Sequence, residues 1–323
     1  MFSEYAWHGV LAPSSADRIA MNRRPRTFVM ITMQRSWEYS SYALKTFAKN
    51  TPFDSSDQFV LIDDGSFGGA PDWVLPNVKV IEGSASRGFA ENVNRGLEIA
   101  HTRESDLFIL HNDVVFPSGW IEPFERGHHG IMVATTNQDV HHHVGGIEWG
   151  SVMLLTDYSK RAPLVRELMK MQKTCAETPL ARLSVPMVSA CISRDVYLKI
   201  GEFDCSFGKL GGEAEDYSLR AVESGFEILQ HPHSFVVHFA GKSSVWGGEK
   251  NLDTKVRVET ARTHFNKKWG GPLTKLVFDG NMSVLDSEIA WRELYAQSDF
   301  RELIRLMKAS MISGLHLNAV STQ

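Results

Sequence analysis

The sequence predicts an α/β protein built on a mostly parallel sheet with helices on both faces, followed by further helices at the C-terminal end. Three observations carry this reading. Short apolar, β-branched runs alternate with helix-like stretches, and strands separated by helices imply crossover connections. Those runs stop at polar residues, and the carboxyl ends of strands are where open α/β sheets bind ligands. After about residue 246 the pattern changes to Leu, Ile and Met stripes at helical spacing.

The elements follow in order. Residues 1–26 hold Pro13, Ser14, Ser15 and the basic run Arg23, Arg24, Pro25, Arg26, and read as an extension. Residues 27–33 (TFVMITM) form the first buried strand. A helix covers about 38–49 and ends near Pro52. QFVLIDDGS is a second strand that stops at two carboxylates, and NVKVIEG is a third. FAENVNRGLEIAHT is a helix with Phe89, Val93, Leu97 and Ala100 on its apolar side. DLFILHND is a fourth strand. The stretch from HHG through TTNQDVHHH to VGGIEWG reads as loops and short strands, and 164–174 as a helix. VSACISRDVYLKIGEFD is a strand running into a short helix, and EDYSLRAVESGFEI is a helix ended by Gly225. FEILQHPHSFVVHF gives two short strands around Pro232. One or two amphipathic helices close the chain, their stripe suited to core or dimer packing.

The bulk properties exclude several classes. At about 150 residues per domain, 323 residues make two domains or one large domain with an appendage. A composition of 43% hydrophobic and 22% charged residues is that of a folded chain rather than a disordered one. The formal charge of −4 gives no general attraction to nucleic acid. No apolar run approaches the roughly 18 residues of a membrane span. The N-terminus lacks the basic start and apolar run of a secretory leader. Three cysteines without a Cys-x-x-Cys pair give no disulfide framework, so a cytoplasmic setting is expected.

Four polar clusters fall where chemistry would need them. Asp63-Asp64-Gly65-Ser66 follows one strand and can accept hydrogen bonds from a base or ribose; a capped turn explains it equally well taken alone. His111-Asn112-Asp113 follows another, with an imidazole and a carboxylate suited to a divalent cation. Gly211-Gly212-Glu213-Ala214-Glu215-Asp216 opens a helix, where carboxylates either cap the dipole or act as a general base. His238 ends an apolar strand, and a neutral imidazole there suits Mn²⁺. The histidines at 128–129 and 141–143 read as exposed loop residues. Trp246 is placed either beside an acceptor sugar or in the core.

Taken together and in this order, these segments resemble glycosyltransferase family 2, with its GT-A fold, and its rhamnosyltransferase-like members in particular. FVMITMQRS and VLIDDGS are similar to that family's first two strands and nucleotide-binding loops. Arg87-Gly88-Phe89-Ala90 through Asn94-Arg95-Gly96 resembles its Gly-Phe-x-x-x-x-Asn-x-Gly segment, and LHNDVVFPSGWIEPF its Asp-x-Asp region. ACISRDVYLKIGEFDCSFGKLGGEAEDYSLRAVESGF resembles the acceptor-side stretch, VVHFAGKS the histidine strand, and Asn266-Lys267-Lys268-Trp269-Gly270 a Lys-Trp-Gly element after the core. The resemblance runs from about Thr27 to Ser244.

It implies a Rossmann-like catalytic domain over 27–245, an N-terminal extension over 1–26 and a helical extension over 246–323. It implies a divalent cation (Mn²⁺ or Mg²⁺) held by Asp113 and His238, with a nucleotide-diphosphate sugar as donor. Thr32, Arg35, Asp63, Asp64, Gly88, Asn94, His111 and Asn112 would line the donor side. Asp216 would be the catalytic base, with Glu215 positioning it or the acceptor. The one departure is His-Asn-Asp in place of Asp-x-Asp, which either weakens the cation site or makes His111 the substitute ligand. The implied reaction is inverting transfer to a hydroxyl of a glycan or lipid-linked acceptor. The Gly-Gly-Glu before the acidic pair is also similar to retaining transferases that act on polypeptides. A GT-A-shaped binding module and a transferase acting on modified DNA bases stay open as alternatives. The C-terminal helices leave room for peripheral contact at the inner membrane face or for a homodimer.

Overall fold

The computed structural model describes residues 23–33, 36–65, 78–139, 178–209, 211–241 and 251–320, with short pieces at 72, 74, 143–144, 147–148, 155–156, 158, 160 and 163. The expectations placed on Arg35, Trp246, His141, His142 and the 164–174 helix lie outside the described residues.

The elements in chain order are β1 (Arg26–Thr32), α1 (Trp37–Asn50), β2 (Gln58–Asp63), β3 (Lys79–Ile81), α2 (Phe89–Thr102), β4 (Asp106–Leu110), β5 (Val114–Val115) and β6 (Gly130–Thr136). A small hairpin of β7 (His143–Val144) and β8 (Ile147–Glu148) follows. Then come β9 (Leu180–Ala181), β10 (Ala190–Ile192), α3 (Arg194–Ile200), α4 (Glu213–Glu223), β11 (Glu227–His238), α5 (Asn251–Trp269), α6 (Ile289–Ala296) and α7 (Phe300–Val320). The main sheet has the order β3-β2-β1-β4-β10-β6-β11-β5, with β9 also on β11. β1 pairs parallel with β2 and β4, and β6 parallel with β11; β10 runs antiparallel between β4 and β6.

Period-2 alternation along uniformly apolar strands explains why both faces are covered. Phe28, Met30, Phe59, Leu61, Phe108 and Leu110 turn to one face, where Leu44 and Phe47 of α1 cover them with Trp120. Val29, Val60, Ile62, Leu107 and Ile109 turn to the other, against Val93 and Leu97 of α2. At about 25 cal/mol per Å² of apolar surface removed from water, this two-sided burial is the main stabilising contribution.

Three segments differ from the sequence reading. Residues 130–136, within the stretch read as loops and short strands, form one fully buried seven-residue strand. β11 is a single 12-residue strand whose register slips between His231 and Phe235, so Pro232 sits in an irregularity and does not break the pairing. A 19-residue helix, α5, precedes the two C-terminal helices and has little apolar periodicity to announce it.

The described part of the C-terminal stripe packs inward in good measure. Phe265, Trp269, Leu273, Leu303, Ile304 and Met307 are buried in the same core as Val29 and Val93. These side chains are therefore not available to a dimer partner or a membrane. No described helix is long and apolar enough to cross a membrane.

Candidate functional site

The polar strand ends gather at the carboxyl edge of the sheet because the strands that carry them run side by side. Antiparallel pairing of β5 with β11 sets Val114 opposite His238, and the Phe239 N–H donates to the Asp113 carbonyl at 2.9 Å. That register puts Asp113 and His238 next to each other. His238 Nε2 lies 3.2 Å from Asp113 Oδ1, both side chains being buried. His111, two residues before Asp113, completes a group whose ligand atoms all lie within 4.8 Å of one another.

The protonation states of this group favour a cation. His238 Nδ1 donates to Gln138 Oε1 at 3.1 Å, since an amide oxygen only accepts. Nε2 faces the Asp113 carboxylate oxygen, where a proton or a cation would bridge the two. A histidine oriented through its other nitrogen is the usual support of a metal ligand. Burial, with the neighbouring His238 charge, holds the His111 imidazole down to about 4 against the pull of Asp113, so it is neutral at pH 7. Its buried Nε2 has no hydrogen-bond partner among the described residues. A neutral, unpartnered imidazole beside a carboxylate and a second imidazole is a donor set that fits Mn²⁺ or a similar ion. The sequence reading placed His111 on the donor side or as a substitute ligand; the geometry groups it with Asp113 and His238.

The orienting residues Asn137 and Gln138 did not emerge from the sequence. Asn137 Oδ1 accepts the His238 N–H at 2.7 Å. Both follow an apolar run in TTNQ, the same signal that marked Asp63 and Asp113, and the missed β6 concealed it.

The donor-side residues divide by what they touch. Asp64 is tied to the loop before α2: its carboxylate accepts from Ser86 Oγ (2.9 Å), the Arg87 N–H (2.6 Å), the Gly88 N–H (3.4 Å) and Asn92 Nδ2 (2.7 Å). Three of those bonds fall on Oδ1 and one on Oδ2, which keeps room for a further donor. Asp63 lies beside it, buried at the end of β2. Thr32 Oγ1 is 2.6 Å from Ser40 Oγ, and Asn112 Nδ2 donates to Ser36 Oγ (2.7 Å) and Ser40 Oγ (2.9 Å). That buried network fastens β4 and β1 to α1. Asn94 pairs with the Phe203 backbone in both directions, Nδ2 to carbonyl at 2.9 Å and N–H to Oδ1 at 2.8 Å. Asn94 thus holds the 203–205 turn.

Gly88 starts α2 with φ +88°, and a Cβ there would sit 2.5 Å from Lys209 Cα and 2.7 Å from its carbonyl oxygen. Gly88→Ala is expected to lower stability by about 1–3 kcal/mol and to dislodge the 86–88 loop. Urea denaturation with a chain-length-normal slope would measure it.

α4 carries three carboxylates in its first turn, and their surroundings differ. Asp216 is fully buried. Its Oδ1 accepts from Trp269 Nε1 (2.8 Å) and pairs with Lys268 Nζ (2.7 Å), while Oδ2 accepts from Arg220 Nε (2.8 Å). Arg220 in turn donates to the Ile200 and Glu202 carbonyls at 2.9 Å. Asp216, expected as the base, is thus fully buried, with its oxygens occupied by two cations and an indole N–H. Glu215 is different. It lines an open cleft of about 580 Å³ together with Gln138, Ser184, Arg182, Gln230 and Tyr295. Burial pushes its carboxyl up to about 7, and the nearby Glu213 charge adds to the shift. A base tuned close to working pH is what proton abstraction requires. Adjacent helical residues point about 100° apart, so one faces the core and the next the cleft.

Asp216→Asn is therefore expected to act on stability. Leaving Arg220 and Lys268 without their buried partner costs about 3–5 kcal/mol. Thermal denaturation should show a large drop, while the pH profile of any activity remaining below the new transition should keep its midpoint.

Gln138 lines the cleft and also bonds His238, so one residue touches both. Leu276, Val277 and Met282, from the segment between α5 and α6, form the far wall. The C-terminal segment thus helps build the site. Part of that wall is a π-helical turn, Thr274–Phe278, closed by the Asp279 N–H on the Thr274 carbonyl at 2.9 Å.

No protein-family model and no curated protein matches the sequence. Solved structures match in shape. A crystal structure of GalNAc-T7 with UDP, GalNAc and Mn²⁺ aligns at 16% identity and a TM-score of 0.54, over 88% of this chain and 55% of that one. The chain thus spans about half the length of that structure. The mannosyltransferase PcManGT from Pyrobaculum calidifontis, in complex with GDP-Man and Mn²⁺, aligns at 13% identity and a TM-score of 0.47, over 93% of this chain and 92% of that one. TarS of S. aureus aligns at 12% identity and 0.46, over 75% and 40%. At 16% identity the GalNAc-T7 likeness establishes the fold: a GT-A-type arrangement with a mostly parallel central sheet.

Proposed function

We propose that the protein is a metal-dependent glycosyltransferase that moves a hexosyl or deoxyhexosyl group from a nucleotide-diphosphate sugar to an acceptor hydroxyl. One observation carries the reading: a His111–Asp113–His238 group at the carboxyl edge of the sheet opens beside a cleft that holds Glu215, a carboxyl raised to about 7. The ordered motifs of family 2 support it. So does the fold, since GalNAc-T7 was solved with a nucleotide, a sugar and Mn²⁺.

In this reading His111, Asp113 and His238 hold the cation, which when bound supplies positive charge to the leaving nucleoside diphosphate. Gln138 and Asn137 keep the His238 ring in place. Asp63 meets the base or ribose, and Asp64 keeps the 86–88 loop shaped around the nucleotide. Thr32, Asn112 and Asn94 act one layer back, holding the strand ends and the 203–205 turn that frame the donor. Glu215 takes the proton from the acceptor hydroxyl as that oxygen attacks the anomeric carbon, so the product is inverted. Asp216, with Lys268, Arg220 and Trp269, anchors the helix that presents Glu215.

The test is release of nucleoside diphosphate from a panel of UDP-, GDP- and dTDP-sugars with Mn²⁺. Release from at least one donor, lost on chelation, supports the reading. Cation-dependent donor binding without turnover, with every acceptor class tried, would instead identify a binding module.

A further inference from the structure

Arg182 in the cleft has no part in the reading above. Two anchors fix it. Its backbone N–H donates to the Ile228 carbonyl at 2.8 Å where β9 lies on β11, and its Nε donates to Gln230 Oε1 at 2.8 Å. Gln230 is itself buried in β11. Among the described residues no acceptor is bonded to the two terminal guanidinium nitrogens. The side chain is half-buried on the cleft wall with Ser184. A guanidinium is always charged, and its parallel N–H pair matches a carboxylate or a phosphate. The same cleft is also lined by Leu276, Val277, Met282 and Tyr295. The cavity therefore offers one fixed cation, the raised carboxyl of Glu215, the Asp139 carboxylate held by the Thr136 N–H and hydroxyl, and an apolar lining that includes an aromatic ring.

We infer that the acceptor carries an anionic group, a carboxylate or a phosphate, gripped by Arg182, beside an apolar or ring surface that lies on the Leu276–Tyr295 wall. The inference rests on the transferase reading for the word acceptor. The recognition itself rests only on the cleft. A pre-positioned guanidinium reduces the ordering cost of binding such a group. It also orients the acceptor, with the anion at Arg182 and the reacting hydroxyl toward Glu215, which repels a second negative charge. A neutral acceptor would leave the half-buried guanidinium without a partner, which is how a polar site rejects the wrong ligand.

The experiment measures binding of three probes to the full chain without added metal: p-nitrophenyl β-D-glucuronide, p-nitrophenyl phosphate and the neutral p-nitrophenyl β-D-glucoside. At least one acidic probe is expected to bind about tenfold or more tightly than the glucoside. The glucuronide and phosphate arms separate a carboxylate from a phosphate acceptor. Arg182→Gln should reduce the preference to within twofold while leaving glucoside binding in place. Should that variant fold poorly, Arg182→Lys keeps the charge without the parallel N–H pair and should show an intermediate preference. Equal binding of all three probes by the wild-type chain would overturn the inference, as would a preference that survives undiminished in either variant. Donor turnover by the wild-type chain is scored separately. Its absence sinks the transferase reading and leaves the Arg182 result standing, whereas turnover without probe discrimination sinks only the Arg182 inference.

Discussion

Asp113→Asn is expected to lower sugar transfer by about 10²–10³-fold, the scale of removing one preorganised electrostatic contribution to a transition state. The substitution replaces an oxygen anion with an amide at a position packed between His111 and His238. The size and shape of the side chain are kept, so the fold should survive and the thermal transition should stay near its wild-type value. Raising Mn²⁺ should recover part of the activity, because the loss is one of cation affinity. A companion change, Gln138→Leu, removes the acceptor that orients His238 and should weaken cation affinity by about 10–100-fold. An Asp113→Asn protein with full, chelator-resistant activity would dismiss the cation role outright.

Glu215→Gln is expected to cut kcat by about 10²–10⁴-fold, the range for a general base, with little change in donor binding. The wild-type rate should rise with pH through a midpoint near 7, because the base must be ionised and burial raises its carboxyl to about 7. The variant should lose that limb. Stability supplies an independent readout with the opposite sign. The folded pKa lies above the unfolded one, so the folded state binds more protons between about pH 4.5 and 7. Stability contributed by the protonated carboxyl is complete below that window and is lost as pH rises through it. Glu213, whose carboxyl burial also raises, adds to the same trend. Above pH 7 the Gln variant, which has no buried charge, should be more stable than the wild type by an amount on the order of a few kcal/mol. A variant with lower activity and higher alkaline stability is the trade expected of a strained catalytic group. Normal kcat in Glu215→Gln with a shifted profile in Asp216→Asn would reverse the assignment.

These two carboxylates show where sequence reading stops. The first-turn cluster of α4 was legible as chemistry, yet its rotational phase was not. What decides it is Trp269, 53 residues downstream, whose indole takes Asp216 into the core and turns Glu215 to the cleft. Asp113 and His238 were paired from the sequence through the family resemblance, and the β5–β11 register sets them 3.2 Å apart. Residues such as Asn94 and Asp64 gave a different difficulty. Their neighbours along the chain resemble donor-binding segments, but their hydrogen bonds close on the protein's own backbone and side chains. Only the partner's position tells a ligand contact from a brace. At the level of elements, β1, β2, β4 and α2 were readable because each has one strong period. α5 has a weak apolar face, and its residues Ala261, Phe265 and Trp269 enter the core from a helix that is otherwise polar.

Calorimetric titration of UDP and GDP into the full chain, with and without Mn²⁺, tests the central claim most directly. The account predicts that Mn²⁺ tightens binding of at least one of the two by tenfold or more. It also predicts that this gain disappears in Asp113→Asn. Binding of neither nucleotide, or binding of equal strength with and without the cation, would contradict it.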